Sequence, residues 1–252
     1  VPLWKCPVIH NGVIDLINDS SCSELTINEN INIIFAGSHH RFKGSTHVIK
    51  AIRKGHTAWQ GMKLHWFGDM PVKLRTEMSK YPFVIIHGKV NRNDYLKQLK
   101  AADVLLLPST QEGCPMTMLE AMNYGVVTIA SNGIGAMRWL INSGKEGFIC
   151  YLDHWAEQAL GALNLLQKDR KRLEQMKKAA RNRYINDFKM SRVAQDLLNL
   201  LLTPTVDRSR LPREFPALRW HRGKASYGQP ASFFDRFLYR FGILLTQGKY
   251  EH

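Results

Sequence analysis

A chain of 252 residues, 44% of them hydrophobic, can bury one substantial core and carry a smaller appendage, which excludes disorder throughout. No apolar run approaches the ~20 residues needed to span a bilayer, the opening VPLWKCPVIHNG lacks the zones of a signal peptide, and Cys6, Cys22, Cys114 and Cys150 form no CxxC, so a zinc site and a dense disulfide framework are disfavoured and a reducing, cytoplasmic setting is expected. The net charge of +14 is unevenly spread: residues 168–192 hold ten Lys or Arg against three acids, and KDRKRLEQMKKAARNRY reads as the solvated face of an amphipathic helix rather than a nucleic-acid surface.

Along the chain, short β-branched or aliphatic runs alternate with helix-length amphipathic segments. The predicted strands are 31–37, 63–68, 83–88, 103–109, 126–131 and 147–151. Helices are predicted near 45–55, 71–80, 91–101, 116–124 and 134–142, then at 153–167, 169–186 and 190–202. This order defines an α/β fold, a doubly wound, Rossmann-like parallel sheet whose ligands bind beyond the carboxyl ends of the strands. Residues 1–30 read as a linker and lead-in, 31–202 as the domain, and 203–252 as a basic arm with a C-terminal helical extension. In that extension Pro204, Pro212, Pro216 and Pro230 interrupt periodicity. A last helix at 231–245 would gather Phe233, Phe234, Phe237, Leu238, Phe241 and Leu245 on one side. Such a stripe could lie on an anionic membrane surface, making the protein peripheral, or could pack on protein.

The chemistry concentrates between Pro108 and Cys150. Glu112 and Glu120, seven residues apart, are weak evidence by spacing alone. Their setting adds weight: Glu112 follows a buried strand and a short polar loop, Gly113 frees the backbone, and Pro115 suits the first turn of a helix that carries Glu120. A strand end followed by a helix N-terminus offers free N–H groups and a positive dipole end, which a diphosphate requires. Lys43, before Gly44 at another strand-to-helix turn, is an ordinary surface lysine unless that turn binds phosphate. His39 and His40 beside it read as solvated, and Cys114 reads as a small apolar filler.

The stretch PSTQEGCPMTMLEAMNYGVVTIAS (108–131) resembles the E-x7-E hallmark of retaining glycosyltransferases of the GT-B fold, particularly glycosyltransferase family 4. VIHNGVID (8–15) is similar to that family's interdomain linker, AGSHHRFKGSTHVIKAI (36–52) to its GRLxxxKG segment, and 85–109 to the segment leading into the glutamate pair. The resemblance implies the C-terminal, donor-binding half of a GT-B enzyme in glycan or surface polysaccharide assembly. It implies that Glu120 accepts hydrogen bonds from the donor ribose and that Glu112, the catalytic candidate, faces the transferred sugar. Lys43 would neutralise the diphosphate, with help from backbone N–H groups around Met116, Thr117 and Leu119. Gly37, Ser38, Arg41, Gly44, Gly113 and Cys114 would complete the donor site, and Gly88 and Val90 would border the base. The substrate would be a nucleotide diphosphate sugar, with no metal and no other cofactor.

Two departures from the family pattern bear on phosphate and sugar. Ser38 stands where the family usually has Arg, and Arg138 stands where GGxPE has Glu. The resemblance also implies an N-terminal acceptor-binding domain, absent here, as partner. Two other readings stay open: a non-catalytic nucleotide-sugar-binding module, and a basic nucleic-acid-binding protein supported by charge alone.

Overall fold

The computed structural model describes residues 9–17, 30–39 and 41–202. Cys6, Cys22, His40, most of the lead-in, the arm 203–252 and the helix expected at 231–245 lie outside the described residues.

Six parallel strands form one sheet: β1 (Ile31–Ala36), β2 (Met62–Phe67), β3 (Val84–Gly88), β4 (Val104–Leu107), β6 (Val127–Ser131) and β8 (Gly147–Cys150). Their order is β3-β2-β1-β4-β6-β8. The chain therefore builds outward from β1 in one direction and then returns to build from β4 in the other, leaving a topological switch point between β1 and β4. Side chains alternate across the central strands. Ile33, Phe35, Leu64, Trp66, Val104 and Leu106 join the cluster that also takes Val48 and Ile52 of helix α1 (Ser45–Ile52) and Trp155, Leu163 and Leu166 of α6 (Trp155–Lys168). Ile34, Phe67 and Leu105 turn to the other face, where they meet Leu99 of α3 (Arg92–Lys100) and Ala121 of α4 (Met116–Asn123). Burial on both faces, at about 1.5–3 kcal/mol for each large side chain, explains why these strands read as continuous apolar runs.

Three helix starts follow from local chemistry. The Asn91 side chain accepts the Asp94 N–H at 2.9 Å and starts α3. Asp169 does the same for Arg172 N–H, also at 2.9 Å, and starts α7 (Arg170–Arg183). Pro115 precedes α4, which has no side-chain cap. Between them α2 (Val72–Met78) links β2 to β3, and α8 (Met190–Leu202) closes the described chain. Among the described residues no helix is long and apolar enough to cross a membrane.

The structure differs from the sequence expectation in two places. The helix expected at 134–142 is a single turn, α5 (Met137–Leu140), because residues 134–135 are drawn into a two-residue strand β7 (Ile134–Gly135) paired with β5 (Gln111–Glu112). The helix expected at 169–186 gives way after Arg183 to one π turn, Tyr184–Phe188, which buries Tyr184 and Phe188. The lead-in is stitched to that turn: Tyr184 Oη donates to the Val13 carbonyl at 2.8 Å, and Val13 N–H donates to the Phe188 carbonyl at 2.9 Å.

Candidate functional site

The site gathers around the switch point. After β1 the chain turns through Gly37 and a 3-10 turn, Arg41–Lys43, into α1. Gly44 has φ 67°, and a Cβ there would land on the Pro108 carbonyl oxygen, so glycine alone lets this turn press against the end of β4. Thr110 N–H closes the contact by donating to the Phe42 carbonyl at 3.0 Å. The consequence is that Lys43 reaches across the switch point, its Nζ 2.8 Å from Glu112 Oε1. Ser109 Oγ donates to the same carboxylate oxygen at 2.9 Å. Glu112 is held from behind as well. A Cβ on Gly135, at φ 125°, would overlap the Glu112 carbonyl oxygen, and β5 lies in register with β7 at this pair. Ser131 Oγ donates to the Ser109 carbonyl, tying the end of β6 to the same loop.

Beyond Glu112, α4 points its N-terminus into this corner. Met118 and Leu119 N–H both return to the Pro115 carbonyl, at 2.9 and 3.3 Å. The N–H groups left for an anion are therefore those of Met116 and Thr117, a narrower pair than sequence reasoning offered, and Leu119 itself is fully buried. Cys114 is half-buried, and burial pushes its thiol pKa up, which suits an apolar filler beside the turn.

Glu120 lies one turn further on. Only 4% of it is exposed, yet Arg92, the first residue of α3, binds its Oε1 at 2.6 Å with a side chain that is 65% exposed. Tyr95, one turn along α3 from Arg92, has a buried hydroxyl with no hydrogen-bond partner among the described residues. Burial first, and then the nearby negative charge of Glu120, raise its pKa well above the ordinary phenol range. Sequence reasoning did not single out Arg92. Its one local signal is the Asn91 cap, which fixes Arg92 as the residue where α3 begins, a few positions after Gly88 and Val90.

The structure gives the remaining candidates these places. Gly37, Gly68 and Gly88 end β1, β2 and β3 side by side: Gly37 N–H donates to the Phe67 carbonyl and Gly68 N–H to the Gly88 carbonyl, each at 2.8 Å. A Cβ on Gly68 would lie 2.6 Å from the Gly37 carbonyl carbon, so the floor of the cleft here is bare backbone. Ser38 is exposed, and its hydroxyl accepts the Asp69 N–H at 3.2 Å, tying the β1 turn to the β2 turn. His39 lies 2.9 Å from Ser45 Oγ through Nδ1. Val90 is partly buried against the α3 side of the sheet. Arg41 sits in the 3-10 turn, with its side chain outside the described residues. Gly113 is exposed in the loop between Glu112 and α4. Arg138 is exposed on α5 and pairs with no carboxylate among the described residues.

Two carboxylates are thus each held by a cation, with a bare helix N-terminus between them, at a Rossmann-like switch point. The family described as "Glycosyl transferases group 1" matches residues 20–183. The chain belongs to that family, and its sheet has the GT-B architecture. Over 140 residues it is 31% identical to the UDP-Gal:alpha-D-GlcNAc-diphosphoundecaprenol alpha-1,3-galactosyltransferase of Escherichia coli, a match covering 56% of this chain and 35% of that protein. Anabaena HepE in complex with UDP superposes with a TM-score of 0.58 at 19% identity, over 69% of this chain and 49% of HepE. The C-terminal domain of the group 1 protein LpcC from Francisella tularensis superposes with a TM-score of 0.57 at 19% identity, over 64% of this chain and 87% of that domain. The chain thus spans about a third of its E. coli relative and about half of HepE.

Proposed function

We propose that this chain is the donor-binding half of a retaining glycosyltransferase that takes a hexose-type sugar from a nucleoside diphosphate. The observation that carries the reading is the Lys43–Glu112 pair closed across the switch point, beside the uncapped N-terminus of α4 and next to Glu120. A diphosphate would draw Lys43 Nζ and the Met116 and Thr117 N–H groups to its oxygens. Glu112 would then face the sugar, where its negative charge favours the positive charge that develops at the anomeric carbon. In the transfer, the bond from that carbon to the diphosphate oxygen breaks and the oxygen keeps the electron pair. The acceptor hydroxyl forms the new bond on the same face, and its proton passes to the departing diphosphate. Lys43 and the helix N-terminus stabilise the charge that leaves, so this chain's own groups suffice and the mechanism uses no metal.

The E. coli relative's name contains a UDP-sugar and HepE binds UDP, which together support a uridine nucleotide and a role in lipid-linked or surface glycan assembly. The matched lengths support an acceptor-binding half elsewhere in the whole protein. The basic run of α7 gives little to a nucleic-acid reading, since Lys177, Arg181 and Arg183 are each bonded to an acid of the same chain.

Calorimetry of the chain against UDP-glucose, UDP-galactose, GDP-mannose and ADP-glucose is the direct test. At least one should bind below millimolar concentration, without sugar transfer. Glu120→Ala should weaken the best ligand by about 1.5–3 kcal/mol, the usual worth of a hydrogen bond to a charged group. Joined to its acceptor half, the protein should transfer sugar, and Glu112→Ala should then cut kcat by about 10²–10³-fold while changing donor affinity less. Binding without transfer in the joined protein would favour the non-catalytic module. No binding at all would remove the donor reading.

A further inference from the structure

The Arg92–Glu120 contact poses a chemical problem that the donor reading does not by itself solve. Glu120 is almost sealed in, its side chain 5% exposed, yet among the described residues its only hydrogen bond is the one Arg92 makes to Oε1. A carboxylate can accept at about four lone-pair positions. Its second oxygen, Oε2, has no donor among the described residues. Arg92 is in the complementary position. It begins α3 on the rim of the cleft, spends one N–H on Glu120, and leaves the rest of a five-donor guanidinium facing outward.

The two groups together present an acceptor and a set of donors side by side. A hydroxyl matches both, because it can give its hydrogen to the carboxylate while its oxygen accepts from the guanidinium. A phosphate does not match, since Glu120 would repel it, and a bare CH2 would leave both groups short of a partner. We infer that Arg92 and Glu120 act as one clasp on a ribose hydroxyl of the donor nucleotide, so that Arg92 is a binding residue that selects ribonucleotides over their deoxy analogues. The inference rests on the donor-site reading and adds to it a residue, a contact geometry and a selectivity.

Arg92 holds this position because two independent features place it. The Asn91 cap fixes where α3 starts, with the Asp94 N–H bonded at 2.9 Å. Tyr95 and Leu99 then set the rotation of the helix: both pack toward the sheet on the side where α4 lies, and Tyr95 stands edge-on to Phe67 with ring centroids 5.8 Å apart. The residue one turn before Tyr95 is thereby turned toward Glu120. Tyr95 and Tyr124 both pack beside this carboxylate and limit the water around it, which strengthens a charge-assisted bond.

A purely structural ion pair between α3 and α4 would behave differently, and the two can be separated by calorimetry on the 252-residue chain with UDP, 2′-deoxy-UDP and 3′-deoxy-UDP. Arg92→Ala leaves the nearly buried Glu120 without its one partner among the described residues and should lower the melting temperature, so the deciding readout is the difference between ligands in one and the same variant. The substitution should raise the Kd for UDP about tenfold or more, the worth of a charge-assisted hydrogen bond. For at least one deoxy analogue the same substitution should change Kd by less than about threefold, because the hydroxyl that Arg92 reads is already gone. Arg92→Lys should recover part of the loss for UDP. Equal losses for UDP and both deoxy analogues, or no loss for any, would overturn the clasp while leaving the donor reading intact. Failure of the unmodified chain to bind UDP, GDP or ADP would overturn the donor reading and the clasp with it.

Discussion

Two sets of ion pairs among the described residues, one on α7 and one at the cleft, differ in what else holds them. On α7, Lys177 Nζ meets Asp103 at 2.8 Å with both side chains at or below 10% exposure, and Asp103 also accepts the Asn32 N–H at 3.0 Å. Arg181 meets Asp15 at 3.0 Å and donates as well to the carbonyl and side-chain oxygens of Asn123. In these pairs Asp103, Asp15 and Arg181 each bond to other groups as well, and Lys177, bonded to Asp103, is itself buried. At the cleft, Lys43–Glu112 and Arg92–Glu120 join a carboxylate that is 14% and 5% exposed to a cation that is 44% and 65% exposed, and each cation makes one hydrogen bond among the described residues. A cation so exposed gives up little when it swings away, since water takes over its solvation. A carboxylate buried at a cleft needs some partner at all times. The α7 pairs therefore fasten the fold, while on the proposed donor reading the cleft pairs keep two carboxylates satisfied until a ligand takes over.

The largest expected effect lies in the fastening set. Asp103→Ala would leave Lys177 buried without its counter-charge and the Asn32 N–H without its acceptor, a loss of about 3–5 kcal/mol of stability. Urea unfolding measures it directly. A loss below about 1 kcal/mol would erase the distinction between the two sets, because that is the range expected of exposed pairs.

Much of this was legible in the sequence, and the boundary has a physical cause. The six strands were readable because each is buried on both faces and so appears as a short apolar run between turns; Ile31–Ala36 and Val127–Ser131 are examples. Glu112, Glu120 and Lys43 were readable because a local motif surrounds each of them. What stayed hidden depends on distance in sequence. Arg92 finds its partner in Glu120, 28 positions away, and Arg181 in Asp15, 166 positions away. The shortened α5 was hidden for the same reason: residues 134–135 carry helical periodicity, but pairing with Gln111 and Glu112 wins them as a strand. Gly133 and Gly135 were the available signal, because two glycines this close mark backbone packed against backbone rather than the start of a helix.

The comparison sharpens at Lys43, where stability and ligand affinity should separate. Lys43→Ala should shift unfolding by no more than about 1 kcal/mol, since the lysine is half exposed. Affinity for UDP should nevertheless fall by about 1.5–3 kcal/mol while affinity for uridine stays level, because only the diphosphate needs the ammonium. Added salt should narrow the gap between the two ligands. Equal losses for UDP and uridine would place Lys43 among the fastening residues instead. A loss of several kcal/mol of stability would do the same.

The smallest expected effect concerns Asp15, and its sign can be worked out in advance. Burial alone would raise the pKa of this carboxyl. The Ile17 N–H, the two-pronged contact from Arg181 and the Lys189 ammonium together outweigh burial and bring it below its ordinary value. The donors lie at 3.2 Å, at 3.0 and 3.1 Å, and at 3.3 Å. A folded pKa below the unfolded one means that the native state binds the proton less readily than the unfolded chain does. The stabilisation is therefore fully present above the unfolded value, at about pH 4, and disappears as pH falls through the folded value. Asp15→Asn removes the charge at every pH. Its melting temperature should lie below that of the unmodified chain by a constant margin between about pH 6 and pH 8, corresponding to about 1 kcal/mol. The margin should then shrink through the acid range below about pH 4, as the native carboxyl itself becomes neutral. Arg181 stays charged throughout, so it cannot produce this pattern. A margin that held constant, or widened, down to the acid limit of folding would show that Asp15 acts through packing or its hydrogen-bond geometry and not through its charge.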